Sequence, residues 1–161
     1  MTILNIAVAG SSGRMGRALL AAIMKDSGLH LQAALEMDDS PYLGKDVSEL
    51  TGDLGGIVIT DNFSAALPGC DVLIDFTQPE GTIKHLSVCR AEGIKMVIGT
   101  TGFSTEQKEV LKEASKDIAL VVAPNMSVGV NVTFKLLDIA AKVLGDDYDI
   151  EIVEAHHRHK V

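Results

Sequence analysis

The stretch Ile3-Leu-Asn-Ile-Ala-Val-Ala-Gly10-Ser-Ser-Gly13-Arg-Met-Gly16 decides the fold. Ile3–Ala9 is a short apolar run that reads as a buried strand. Met15–Lys25 reads as a helix with Met15, Leu19 and Ile23 along one face. Between them lies a glycine-rich junction. A backbone free of Cβ atoms lets a phosphate come close, and a helix starting there offers it unpaired N–H groups. The glycines are spaced G-x-x-G-x-x-G, not G-x-G-x-x-G, so an ordinary structural turn explains the junction equally well on its own. Glu36 tips the balance. It ends a second strand, Leu29–Leu35, 20 residues after Gly16, where a carboxylate would accept from an adenosine ribose hydroxyl. Strand, glycines, helix and acid together point to dinucleotide binding; a solvated loop glutamate is the alternative for Glu36.

The remaining chain repeats the alternation. Glu36–Gly56 is polar and glycine-rich, a loop with one short helical turn. Strands are expected at Ile57–Thr60, Val72–Phe76, Lys95–Ile98 and Ile118–Val122. Pro79 opens a helix at its first turn, where the missing N–H costs nothing, and that helix runs to about Glu92. Ser104 and Gln107 form a capping box for a helix reaching Ser115. Val128–Leu144 is the longest helix, with Val130, Phe134, Leu137 and Leu144 on one stripe, and Ile150–Ala155 reads as a final strand. The fold class is α/β: a Rossmann-like, doubly wound parallel sheet, followed by the first helix and strand of an incomplete α+β domain. The expected division is 1–126 for dinucleotide binding and 127–161 for the start of a substrate domain.

Composition narrows the function. A net charge of −8 over 161 residues argues against nucleic acid and anionic membranes as partners. No apolar run approaches the ~18 residues of a membrane helix, and the N-terminus lacks the basic region of a signal peptide. Cys70 and Cys89 lack metal spacing and fall in apolar stretches, which fits buried thiols in a reducing cytoplasm. Met37, Asp38 and Asp39 follow Glu36 and would repel the extra phosphate of NADP, leaving Arg14 as the one cation placed to help. The cofactor expected is NADH, with NADPH also accepted. Three later strand ends carry small polar loops: Asp75-Phe-Thr-Gln-Pro79, Gly99-Thr-Thr-Gly102 and Ala123-Pro-Asn-Met-Ser127. All would lie on one sheet edge, where small residues let backbone groups reach a nicotinamide and its ribose. Ordinary turn chemistry explains each taken singly.

The last eight residues, Glu154-Ala-His-His-Arg-His-Lys-Val161, concentrate three of the five histidines. Such a cluster suits an anionic ligand and can move protons near neutral pH. On a strand, His156, Arg158 and Lys160 share a face; on a helix, His156 and Lys160 meet at i, i+4. A metal site is the rival reading, weakened by the neighbouring cations and by the want of a carboxylate beyond Glu154. No metal is therefore expected.

Gly10–Gly16, Asp75-Phe-Thr77, Val97-Ile-Gly-Thr-Thr-Gly102, Asn125-Met-Ser-Val-Gly-Val-Asn131 and Glu154–Lys160 together resemble one family, the dihydrodipicolinate (4-hydroxy-tetrahydrodipicolinate) reductases of bacterial lysine biosynthesis. The resemblance covers the whole chain. It implies that Gly10, Ser11, Ser12, Gly13, Arg14 and Met15 hold the cofactor pyrophosphate and Glu36 the adenosine ribose. Gly99, Thr100, Thr101, Ala123, Pro124, Asn125 and Met126 would line the nicotinamide side. It makes His156 the proton donor/acceptor, Lys160 the proton donor and His157 a substrate contact. The reaction implied is hydride transfer to a small dicarboxylate ring with loss of its hydroxyl as water, in a cytoplasmic homotetramer. The family often has Arg at the place of Met37, and it continues beyond the lysine into a carboxylate-gripping loop and a mixed-sheet domain. This chain, ending at Val161, is expected to bind cofactor and to be inactive alone. Two further readings share the first half: a non-catalytic dinucleotide-binding or redox-sensing module, and a related amino-acid or imine dehydrogenase.

Overall fold

The computed structural model describes residues 2–52, 55–153 and 155. The chain divides into two compact units, Met1–Pro124 and Asn125–Val161. In the first, six strands run parallel: β1 (Leu4–Ala9), β2 (Leu29–Leu35), β3 (Ile59–Thr60), β4 (Val72–Asp75), β5 (Lys95–Ile98) and β6 (Leu120–Val122), in the spatial order β3-β2-β1-β4-β5-β6. The helices between them are α1 (Arg14–Ile23), α2 (Ser48–Thr51), α3 (Phe63–Ala66), α4 (Pro79–Glu92) and α5 (Thr105–Ala114). Strand order reverses between β1 and β4, the point at which a doubly wound sheet opens a crevice at its carboxyl edge.

Two apolar layers flank the sheet, and β1 divides its residues between them. Ile6 and Val8 pack with Leu20 and Ile23 of α1, together with Val47 and Ile59. Ala7 and Ala9 pack on the other face with Leu86 and Cys89 of α4 and with Leu111 and Ala114 of α5. This alternation follows from the two-residue period of a strand. Strand β2 departs from it. Its register against β1 slips by one residue between Ile6 and Ala7, so that Ile6 faces Leu31 and Ala7 faces Ala33. Leu31 thus serves the α1 layer and Ala33 and Leu35 the α4–α5 layer, although all three are odd-numbered. Gln32, the residue skipped, is exposed.

Helix boundaries follow their local chemistry. Pro79 occupies the first turn of α4, and Gly93 closes that helix in the left-handed conformation. Ser104 and Gln107 form the expected reciprocal capping box on α5. The buried face of α1 differs from the sequence expectation. It is Gly16, Leu20 and Ile23, while Met15 is 46% exposed. Helical geometry puts residues 15 and 16 side by side, and the close approach of helix to strand selects the glycine. Helix α3 was not foreseen; it is four residues long, and Asn62 caps it by accepting from the Ala65 N–H at 3.1 Å.

The second unit contains α6 (Val128–Leu144), capped by the Ser127 hydroxyl, and a 3-10 turn at Gly145–Asp147. Phe134, Leu137 and Leu144 of its expected apolar stripe are exposed. The strand expected at Ile150–Ala155 is absent from the described residues there: Ile150–Val153 and Ala155 carry no ladder. An extended run becomes a strand only when a neighbour takes its backbone hydrogen bonds. Among the described residues no helix is long and apolar enough to cross a membrane. Cys70 and Cys89 are free and buried, and burial pushes their thiols up, to about 11 and about 12.

Leu73, fully buried in the central strand β4, tests the first unit as a packed body. Leu73→Ala is expected to lower stability by about 2–5 kcal/mol, read as a fall in the urea midpoint at unchanged slope.

Candidate functional site

Strand β1 ends at Ala9, and Gly10 turns the chain with φ +70°, a value L side chains resist. The turn is tied to the neighbouring strand: the N–H groups of Gly10 and Ser11 both donate to the Leu35 carbonyl, at 2.9 and 3.1 Å. Gly13 then sits at the N-cap of α1. A Cβ on Gly16 would overlap the carbonyl oxygens of Gly10 and Ser11, so α1 lies directly on the end of β1. No side chain caps α1 and no acidic residue occupies its first turn. The Ser11 hydroxyl is buried and has no hydrogen-bond partner among the described residues. An uncapped helix start, backbone without side-chain cover and an unsatisfied hydroxyl suit a phosphate group. The residues present therefore fit a dinucleotide pyrophosphate.

Glu36 is bound into this loop. Its Oε1 accepts from the Ser12 N–H at 2.6 Å, and its Oε2 accepts from its neighbour Met37 N–H at 3.3 Å. On its other side the Ser12 peptide accepts, through its carbonyl, from Arg17 Nε at 2.8 Å. Arg17 also donates to the Tyr42 hydroxyl at 3.0 Å, and both Arg17 and Lys45 lie over the Tyr42 ring, 5.3 and 5.2 Å from its centre. Arg14, the cation singled out from the sequence, is exposed at the start of α1, as are Gly13 and Met15. Arg17 was missed. The signal was its position one turn into α1, on the side of the loop. Met37, Asp38 and Asp39 are all exposed beyond Glu36.

The other strand ends share this edge because every pairing is parallel. The β4 exit carries a buried polar network. Asp75, fully buried, faces His85 of α4 with Oδ2 2.7 Å from Nδ1. Its Oδ1 accepts from the Thr77 N–H at 3.0 Å and the Thr77 hydroxyl at 2.6 Å. Phe63 stacks on His85, ring centres 4.0 Å apart and 11° from parallel. Burial pushes the Asp75 carboxyl up, but the bonds from His85 and Thr77 outweigh it, leaving the group below its ordinary value of 3.8. The sequence had marked Asp75 only as part of a loop and had not marked His85 at all.

At the β5 exit Thr100 is buried and Thr101 exposed, and Gly99 packs where a Cβ would strike the Phe76 ring. At the β6 exit the Ala123 N–H donates to the Ile98 carbonyl at 3.1 Å, and Pro124 is exposed. Asn125 and Met126 belong to the second unit. There the Asn125 side chain accepts from the Ser127 N–H at 2.8 Å and its carbonyl from Asn131 Nδ2 at 3.0 Å, while Met126 is exposed. His156, His157 and Lys160 lie outside the described residues.

A family described as "Dihydrodipicolinate reductase, N-terminus" matches residues 4–126, and one described as "Dihydrodipicolinate reductase, C-terminus" matches residues 129–161. Among curated relatives, the 4-hydroxy-tetrahydrodipicolinate reductase of Nitrosospira multiformis is 66% identical over 100% of this chain and 60% of its own length. That of Nitrosomonas eutropha is 62% identical with the same shares covered. The chain thus spans 60% of the length of the curated relatives it matches. Among solved structures, a dipicolinate-bound dihydrodipicolinate reductase from Paenisporosarcina sp. TG-14 superposes with a TM-score of 0.69 at 26% identity, over 86% of this chain and 54% of that one.

Asp75 makes stability depend on acid in a fixed direction. A carboxylate whose folded value lies below its unfolded one stabilises the fold above the unfolded value, and that contribution is lost as pH falls through the folded value. Asp75→Asn is expected to cost about 1–3 kcal/mol near neutral pH. It should also flatten the fall in urea midpoint that the native chain shows below the ordinary value of 3.8. A D75N chain that keeps the native acid limb would contradict this assignment.

Proposed function

This chain belongs to the dihydrodipicolinate reductase family, and we propose that it is the cofactor-binding part, with the beginning of the substrate-binding part, of a 4-hydroxy-tetrahydrodipicolinate reductase. Residues 1–126 form the dinucleotide domain in this reading and 127–161 open the substrate domain. The observation that carries it is the union of two sequence signals in one place: the Ser12 N–H of the glycine loop bound to the Glu36 carboxylate at 2.6 Å, beside an uncapped helix start.

Gly10, Ser11, Ser12, Gly13, Arg14 and Met15 take the pyrophosphate. The N–H groups of Gly10, Ser11, Ser12 and Gly13 are spent on Leu35, Glu36 and Gly10 and hold the turn open, while the N–H groups of Arg14 and Met15 at the start of α1 and the helix dipole face the phosphates. Glu36 is the ribose acceptor: with Oε1 fastened to Ser12, its second oxygen is turned toward the exposed chain at Met37. The edge formed by Gly99, Thr100, Thr101, Ala123 and Pro124, with Asn125 and Met126 following, receives the nicotinamide ring. A bound nicotinamide cofactor supplies the hydride. His156 exchanges a proton with the substrate, Lys160 delivers one, and His157 binds it. The overall change consumes a hydride and a proton and releases the substrate hydroxyl as water. The substrate is a small dicarboxylate. A cytoplasmic setting and a homotetrameric assembly complete the reading.

Cofactor choice follows from charge. NADH is preferred because Asp38 and Asp39 stand beyond Glu36, with Met37 between where a cation would serve a 2′-phosphate. NADPH is also accepted, since Arg14, Arg17 and Lys45 offset the acids. Side-by-side fluorescence titrations at fixed salt are expected to give saturable binding of both, with NADH equal or tighter. Arg17→Ala should weaken both about 3- to 30-fold, the loss of one or two hydrogen bonds that hold the loop. A chain with native circular dichroism that binds neither dinucleotide would remove the reading.

A further inference from the structure

The β4 and β5 exits are tied together by hydroxyls and one buried carboxylate. The Thr77 N–H, after β4, is shared between Asp75 Oδ1 and the Thr100 hydroxyl, after β5, at 3.0 Å each. Thr82 of α4, fully buried, donates its hydroxyl to Thr100 at 2.9 Å, and the Thr100 hydroxyl lies 3.4 Å from Asp75 Oδ1. The Thr77 N–H and the hydroxyls of Thr77 and Thr100 therefore converge on Oδ1, while His85 of α4 holds the other oxygen.

A stable core does not require this. Burying a carboxylate is costly, and apolar residues of equal size commonly fill such a place at no loss of stability. What the network supplies is direction. His85 Nδ1 holds Oδ2 of the Asp75 carboxylate, and Oδ1 then points at Thr77 and Thr100. His85 is itself fixed: Phe63 stacks on its ring, and its side chain is 11% exposed. Thr100 is the middle residue of Gly99–Thr101, and its hydroxyl, bonded to Thr77 and Thr82, ties that loop to the β4 exit and to α4.

We propose that His85 is a positioning residue for the nicotinamide end of the cofactor. It acts through Asp75 on Thr77 and Thr100, and so sets where the Gly99–Thr101 backbone meets the nicotinamide ring. The inference rests on the cofactor reading given above. It assigns His85, Asp75, Thr77 and Thr82 a task that the loop residues themselves do not reveal, and it separates the two ends of the site. The adenosine end depends on Ser12, Glu36 and Arg17; the nicotinamide end depends on His85 and Asp75.

The two ends can be titrated independently. ADP-ribose carries the adenosine, both phosphates and a ribose but no nicotinamide; NADH carries all of them. His85→Ala is expected to weaken NADH about tenfold and to return the emission of bound NADH toward that of the free molecule. Its affinity for ADP-ribose should stay within about twofold of native. His85→Asn, whose amide can donate to Asp75 from the place of Nδ1, should restore most of the NADH affinity. Thr82→Val, which removes one hydroxyl at nearly constant volume, should repeat the His85→Ala pattern in milder form, and it serves if His85→Ala does not fold. Equal weakening of both ligands, no weakening of either, or failure of the His85→Asn chain to regain affinity would overturn the proposal and leave the cofactor reading standing. A native chain that binds neither ligand would overturn both.

Discussion

The structure depends on the contact between the Gly16 α-carbon and the carbonyl oxygens of Gly10 and Ser11. It brings α1 onto the end of β1 with no side chain between them. From that contact the positions of the Gly10 turn, the Gly13 N-cap and the free N–H groups of α1 all follow. The same contact turns Gly16 toward the strand, with Leu20 and Ile23 on the inward face of the helix and Met15 exposed. A residue with a Cβ at position 16 would lift the helix, open the α1 layer and withdraw the amides at the start of α1 in one movement.

The site is a set of strand exits given different duties by what lies beside them. At the β1 exit no side chain caps α1 and no acidic residue stands in its first turn. At the β4 exit the reverse holds: Asp75 has its partners within the protein, in Thr77 and His85. The first arrangement leaves polar groups to be satisfied from outside, and the second holds its own groups in fixed directions. Placing them on adjacent strands, β1 and β4, puts both at the opening of the crevice.

Much of this was legible in the sequence because it was written in local patterns. Mostly apolar runs of four to seven residues marked β1, β2, β4 and β5, and the Ser104–Gln107 pair marked the start of α5. Pro79 marked α4, and the stripe of Val130, Phe134, Leu137 and Leu144 marked the long α6. What escaped was non-local or carried by residues with an ordinary surface appearance. His85 stands ten positions after Asp75, within a helix rich in polar residues, and nothing in one sequence joins the two. Arg17 looks like any helix cation until Ser12 and Tyr42 are seen on either side of it. Helix α3 is too short for periodicity, although Asn62 before Phe63-Ser-Ala-Ala was a cap in plain view. The run at Ile150–Ala155 shows the limit from the other side: β-branched alternation is a disposition, and pairing decides whether it becomes a strand.

The one-residue slip at Gln32 changes the phase of β2. With unbroken alternation Leu31, Ala33 and Leu35 would share a face, and Glu36 would be carried to the side of α4 and α5. The slip inverts the second half of the strand, so that Leu35 goes to that side and Glu36 comes to the side of α1, within reach of Ser12. The strand thereby behaves as two words with a space between them. Residues before Gln32 take their side from the α1 layer, and residues after it keep their own reading frame for the carboxylate.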